Sequence, residues 1–303
     1  MIRKQEADMR KAKFQGIMPA MLAPFKRNGK LDIEGIKTNA KFFSEAGCTG
    51  IVCNGSTGEA INLSGEERLA VINATREAVG AKLVIVAGTG APTTGAAVES
   101  TTDALKAGAD AALVITPFNA IPNKNGLYRH YAEVAQVGIP IIVYNLPQHT
   151  GVEIDLCTLE KLVKLPTIVG IKESSGNLSY FAEIIRRFGG DLAALTGCDD
   201  MTFQAFALGA PGAILALGNI APKMLVQLFN LVGDGRLAEA RTIYFRLLPI
   251  AQAISSSINF PAPVKEAVKL LGRPSGPPRL PILPVDAKEA TAIRDALKVA
   301  RLL

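Results

Sequence analysis

The chain has 303 residues, of which 49% are apolar and 20% charged, with a net charge of +6 and four cysteines. A chain of this size buries roughly 75% of its unfolded surface, so it needs no disulfide or metal staples, and its composition excludes disorder. No run approaches the ~18 consecutive apolar residues of a membrane-spanning helix, and no basic stripe with interleaved aromatics marks a nucleic-acid binder.

Residues 1–13 hold five basic and two acidic groups, half of the net charge. They lack the apolar stretch of a secretory leader, so 1–15 is expected to be a solvated basic tail. Cys48, Cys53, Cys157 and Cys198 form no CxxC pair and have no histidine nearby. That spacing argues against zinc and for buried free thiols in a reducing cytoplasm.

Eight short apolar runs follow, at 17–23, 50–53, 83–87, 111–116, 139–144, 168–172, 192–196 and 213–217. Each ends at or near a turn-forming or polar residue and precedes a longer segment that reads as helix. Unbroken apolar runs suit strands buried on both faces, as in a parallel sheet. Ser64 with Glu67 reads as a capping box, and Asp32 and Thr93 as caps of two further helices. Ala-Gly-Ala at 107–109 and Leu-Gly-Ala at 208–210 suit helix ends that feed strands. Eight βα units predict a (β/α)8 TIM barrel over 16–220. A doubly wound sheet is the competing reading, but Gly88-Thr-Gly90 lacks the third glycine of a dinucleotide loop. Segments 222–232, 237–255, 262–271 and 286–300 read as helices, with a Pro-rich stretch at 274–284, so 221–303 is expected to be a C-terminal helical appendage on the barrel or, equally, packing for an oligomer.

Barrel chemistry sits at the carboxyl ends of strands. Run two ends in Asn54-Gly-Ser-Thr-Gly-Glu59, run four in Thr116-Pro-Phe-Asn119, run five in Tyr144-Asn-Leu-Pro147 and run six in Gly170-Ile-Lys-Glu-Ser174. Lys172 closes an apolar run, so its stem is expected to point into the barrel mouth. An ammonium buried there must be paired or give up its proton, and a neutral amine is a nucleophile toward a carbonyl. A lysine paired with a rim carboxylate is the plainer alternative. Tyr144 ends the neighbouring run, about 4.8 Å across the sheet, where a phenol can relay protons to an imine; otherwise it only fills the interior. Gly55-Ser-Thr-Gly58 offers hydroxyls and backbone N–H groups to a carboxylate, or is an ordinary βα loop. Glu59 is expected to orient that loop rather than react.

Together these motifs resemble the dihydrodipicolinate synthase / N-acetylneuraminate lyase family. The chain shows GSTGE, TPF, YNLP and GIKESSGN in that order, with Tyr144 and Lys172 28 positions apart. Asn259-Phe-Pro-Ala-Pro-Val-Lys265 and Arg279-Leu-Pro281 are similar to the family's C-terminal region. The resemblance implies a class I lyase or aldolase acting on pyruvate or another 2-oxo acid, without metal or organic cofactor, typically as a homotetramer. It implies that Lys172 forms the Schiff base and Tyr144 relays protons. Ser56 and Thr57, with Gly55, would hold the carboxylate and link the relay. Ile214 would offer a backbone carbonyl to the site.

Two positions depart from the pattern of the synthases proper. Where those carry an arginine for the second substrate's carboxylate, His149 stands here. Where they carry a second tyrosine, Asn119 stands here. An imidazole lacks the bidentate fork of a guanidinium, and an amide does not shuttle protons as a phenol does. Phe118 also replaces a tyrosine of the lysine feedback site in some members, so inhibition by lysine is not expected. These changes speak against the lysine-biosynthetic reaction and for a 4-hydroxy-2-oxo acid or deoxy sugar acid as substrate. The open alternatives are the synthase itself, condensing pyruvate with aspartate semialdehyde, a 2-keto-3-deoxy sugar acid dehydratase, and a catalytically silent sensor barrel.

Overall fold

A computed structural model describes residues 13–303. Eight strands form the centre: β1 (Gly16–Pro19), β2 (Gly50–Cys53), β3 (Val84–Gly88), β4 (Ala111–Ile115), β5 (Ile141–Asn145), β6 (Ile168–Glu173), β7 (Ala193–Thr196) and β8 (Gly212–Leu215). They pair in parallel in the order β1-β8-β7-β6-β5-β4-β3-β2. Just past β1, a parallel bridge between Ala20 and Val52 and a bond from Met21 N–H to Val52 O at 2.9 Å join the two ends of the sheet. The result is the expected (β/α)8 TIM barrel. Each strand lies within two residues of its apolar run, except the first, where the strand stops at Pro19 and the run continues to Ala23.

Two apolar layers hold this barrel. Inside it pack Phe14, Met18, Val52, Val86, Leu113, Ile142, Tyr144, Val169, Leu195 and Ile214. The other faces of the same strands pack against the surrounding helices through Ile51, Ile85, Val114, Val143 and Ile171. Burial on both faces is why the runs are continuously apolar. Of the expected tail, residues 1–12 lie outside the described residues. Phe14, which that expectation placed in solvent, is buried in the interior layer, and Lys13 Nζ pairs with Asp110 at 2.9 Å.

The helices begin where their caps stand. Ser64 and Glu67 form a reciprocal box at the start of helix Gly65–Val79. Asp32 accepts from Gly35 N–H and Thr93 from Ala96 N–H; each such cap contributes about 1 kcal/mol. Gly108 and Gly209 take φ of +83° and +93° at the helix ends, where a side chain would be strained. Among the described residues, no helix is long and apolar enough to cross a membrane.

After β8 come helices Pro222–Gly233, Leu237–Ser255, Ala262–Leu270 and Ala287–Val299. The Pro-rich stretch between the last two returns to the barrel mouth. Asn39 Nδ2 donates to Pro274 O at 2.8 Å, Phe25 N–H to Ser275 O at 3.3 Å, and the Arg273 guanidinium to Asn219 O. Cys48 and Cys53 are buried thiols, and Cys198 is half-buried with its thiol pushed up to about 12 by desolvation. Cys157 departs from the buried expectation: it lies in the first turn of helix Leu156–Leu162, on the face turned to solvent.

Candidate active site

Tyr144 and Lys172 are register partners at the carboxyl ends of β5 and β6. Both are buried, and Lys172 Nζ lies 4.2 Å from the centroid of the Tyr144 ring. A local irregularity aims the lysine. Val169 faces the barrel interior, so strict alternation would turn residue 171 inward and Lys172 outward. Ile168 pairs with Ile141, but Gly170 pairs with Ile142, so β6 fits one extra residue into that step. This bulge puts Ile171 in the outer layer and returns Lys172 to the mouth.

Gly197, at the end of β7, gives the lysine its room. A Cβ there would lie 2.6 Å from Lys172 Cε and 1.9 Å from Ser174 Oγ. Ser174 is buried, and its hydroxyl has no partner among the described residues. No carboxylate forms an ion pair with Lys172 among the described residues, so the plainer alternative of a rim salt bridge is not realised. Asp199, on the turn after β7, feels the Lys172 charge. Its Oδ1 accepts the Leu217 N–H at 2.9 Å. Burial pushes the Asp199 carboxyl up to about 7, against the opposing pull of the Leu217 bond and the Lys172 charge.

Glu173, next to the lysine, faces the other way and braces the mouth loops. Its Oε2 accepts Asn145 Nδ2 at 2.7 Å and its Oε1 accepts Ser175 N–H at 2.5 Å. Asn145 Oδ1 in turn accepts Ile154 N–H at 2.9 Å. Burial raises the Glu173 carboxyl, and those donors hold it down. Sequence reasoning passed over Gly197, Ser174, Asp199 and the role of Glu173. The available signal for Asp199 was the Thr196-Gly-Cys-Asp-Asp200 string, which places acids directly after a strand.

The other expected residues sit as follows. Gly55, Ser56 and Thr57 form a tight turn after β2, closed by Gly58 N–H to Gly55 O at 3.0 Å and Glu59 N–H to Ser56 O at 3.1 Å. Thr57 is buried, Gly55 half-buried and Ser56 exposed. Asn119 is exposed after β4 with φ of +67°, a conformation asparagine tolerates better than most residues. His149 is exposed on the short helical turn Pro147–Thr150. Ile214 is buried in β8 beside Met18. The structure therefore brings Tyr144 and Lys172 together. Among the described residues, the side chains of Ser56, Asn119 and His149 form no hydrogen bond, with the pair or with each other. A separate cavity of about 270 Å³ lies between helices Gly65–Val79 and Thr94–Lys106, lined by Asn54, Arg68, Thr89, Glu99 and Asp103.

The arrangement has definite chemical capacity. An amine on a rigid strand, walled by an aromatic ring and freed from carboxylate pairing, can add to a carbonyl. A phenol on the adjacent strand can exchange protons with the adduct. Hydroxyls and backbone donors of the β2 loop stand on the same rim.

Comparison with known proteins agrees with that capacity. Residues 13–300 match the model of the dihydrodipicolinate synthetase family. A 4-hydroxy-tetrahydrodipicolinate synthase of Methanothrix thermoacetophila is 40% identical over 286 residues, covering 94% of this chain and 96% of that protein. The pyruvate complex of a chloride-inhibited dihydrodipicolinate synthase from Acinetobacter baumannii superposes with a TM-score of 0.92 at 33% identity, covering 95% of this chain and 99% of that one. A monomeric dihydrodipicolinate synthase variant superposes equally well, with a TM-score of 0.92 at 31% identity over 96% of this chain and 98% of that one. The chain accordingly belongs to the dihydrodipicolinate synthetase family and is an enzyme of its class I lyase and aldolase type.

Proposed function

We propose that this enzyme is a pyruvate-type aldolase or lyase in which Lys172 forms the Schiff base. The observation that carries the reading is the Lys172–Tyr144 pair, 4.2 Å from amine to ring centroid on neighbouring strand ends. The Lys172 amine adds to the 2-oxo carbon, and the carbinolamine loses water to give a protonated imine. That cation draws electrons from the bond one carbon away. In cleavage, the C3–C4 bond breaks as the C4 hydroxyl loses its proton, leaving an aldehyde and an enamine. Protonation of the enamine and addition of water release pyruvate and restore the amine; condensation runs the same steps backwards. Tyr144, with Ser56, moves the protons, and the Gly55–Thr57 turn holds the substrate carboxylate. Ile214 borders the site from β8. No metal or organic cofactor enters these steps.

His149 and Asn119 face the second reactant in this reading. Without a guanidinium at 149, a carboxylated acceptor loses a charged contact worth ~1.5–3 kcal/mol, or roughly 10–100-fold. We therefore expect the enzyme to cleave a 4-hydroxy-2-oxo acid or deoxy sugar acid with a kcat/KM ~10–100-fold above that for condensing aspartate semialdehyde. Pyruvate release from a panel of such acids, set beside a coupled assay with aspartate semialdehyde, tests this. Equal or better turnover of aspartate semialdehyde establishes the second reading, a 4-hydroxy-tetrahydrodipicolinate synthase, which the name of the 40%-identical relative favours. Loss of water without pyruvate release would instead identify a dehydratase.

Asp199 adds a pH signature. Its carboxyl, held up at about 7 mainly by burial, faces the Lys172 charge, with Asp200 as its acidic neighbour. As pH rises through about 7 it becomes an anion that favours the protonated imine over the free amine. The kcat/KM profile is expected to inflect near neutrality, and Asp199→Asn to lose that inflection. Because the folded carboxyl holds its proton more tightly than the unfolded one, its stabilising contribution is complete below about pH 4 and is lost progressively as pH rises to about 7. The melting temperature of Asp199→Asn relative to the parent should thus climb from about pH 4 to about pH 7 and level off above it, as read by thermal denaturation.

The family resemblance supports assembly as a homotetramer, and the free thiols support a cytoplasmic setting. Ile61, on the helical turn Ala60–Asn62, and Ile121, on the loop after β4, are among the exposed large apolar side chains that a second copy would cover.

A further inference from the structure

Glu59 and Lys265 are 206 positions apart in sequence, yet they form a buried ion pair. Their side chains are 1% and 2% exposed, and Nζ to Oε1 is 2.5 Å. Among the described residues, neither group bonds to Lys172. A buried pair of this kind adds little net stability, because desolvation offsets the attraction, but it holds geometry. The geometry held here is that of the β2 loop. Glu59 takes φ of +51° directly after the Gly55–Gly58 turn, and its carboxylate is gripped from several sides. Oε2 accepts the Arg279 N–H at 2.9 Å and Asn62 Nδ2 at 3.3 Å.

Lys265, on helix Ala262–Leu270, is fixed just as firmly. Its Nζ donates to Pro277 O at 3.1 Å and lies 4.2 Å over the Phe25 ring. Desolvation brings its ammonium down to about 8, while Glu59 works to keep it charged. The Arg279 guanidinium stands at the same 4.2 Å from Phe25. It donates to Asn62 O at 2.7 Å and to Glu67 Oε2 at 2.7 Å, so the Pro-rich stretch clasps both ends of the loop that leaves Glu59.

We propose that Glu59 and Lys265 are positioning residues: the C-terminal helical region sets, through their ion pair, the shape of the Gly55–Thr57 turn that receives the 2-oxo acid carboxylate. The inference rests on the proposed role of that turn. Substrate binding therefore depends on a residue on the C-terminal helices, outside the barrel. Removing either charge strands the other in an apolar setting and lets the turn relax. Removing both relieves the stranded charge but leaves the turn without its brace.

The test compares Glu59→Gln, Lys265→Met and the double variant. Pyruvate is the probe, and active sites are counted by borohydride trapping at saturating pyruvate. Each single variant is expected to raise the KM for pyruvate ~10–100-fold while the fraction trapped at saturation stays near that of the parent. The double variant should recover much of the lost thermal stability and keep the raised KM. Recovery of both together, or singles that melt lower with an unchanged KM, would show a purely structural pair and overturn the proposal. Arg279→Leu keeps the main-chain bond to Glu59 and removes the guanidinium clasp on Asn62 and Glu67 that holds the same loop, so it gives the KM readout if the buried variants do not accumulate; an unchanged KM there, with none of the buried variants folded, also overturns it. Absence of trapping in the parent enzyme would instead strike the Schiff-base reading on which the proposal rests.

Discussion

Lys172→Ala should lower turnover by ~10⁴-fold or more, because it removes the amine that forms the imine. The fold should not suffer. Lys172 is held by no ion pair among the described residues, and the Tyr144 ring, Ser174 and Gly197 around it keep their own positions. Unchanged circular dichroism with a lost rate, measured by pyruvate release or uptake, is the expected combination. Lys172→Arg should be equally inactive, since a guanidinium stays protonated and is no nucleophile. A Lys172→Ala enzyme that keeps its rate would mean that the reaction does not pass through this amine.

Tyr144→Phe should have the second largest effect, a fall in kcat of ~10²–10⁴-fold, the range expected when a positioned proton donor is lost. The ring remains, so the 4.2 Å contact with Lys172 and the packing inside the barrel remain. The imine should still form, only slowly, and trapping at long incubation should reach the level of the parent. A kcat close to the parent's would make Tyr144 an interior aromatic and no more.

Much of this was legible in the sequence, for physical reasons. Strands such as β4 and β5 are buried on both faces, so they read as unbroken apolar runs whatever their neighbours. The Ser64–Glu67 box and the Gly108 and Gly209 helix ends are local chemistry, complete within four residues. The first strand misled by length: the apolar run continues to Ala23, but the ladder with β8 ends at Pro19 and, beyond the single bridge of Ala20 to Val52, the rest of the run lies outside it.

The site was legible in its centre and not at its edges. Lys172 was expected to point inward simply because it closes an apolar run, yet strict alternation from Val169 would have turned it out. The bulge that corrects this depends on register against β5, which no local pattern reports. Gly197, Ser174 and Asp199 reach the lysine from a neighbouring strand end or a turn, so their meaning appears only when β6 and β7 lie side by side. Glu59 was expected to orient its loop, but its partner Lys265 lies on a helix far along the chain. Cys157 failed for the reverse reason: burial of one helix face cannot be judged without knowing what covers it.

The central claim is a covalent bond between Lys172 and a 2-oxo acid. Intact-mass and peptide mapping after incubation with pyruvate and borohydride tests it most directly. The account predicts one added group per chain, the mass of pyruvic acid less one water plus two hydrogens, on the peptide that contains Lys172 and absent from Lys172→Ala. An unmodified chain, or a label that persists in Lys172→Ala, would contradict it.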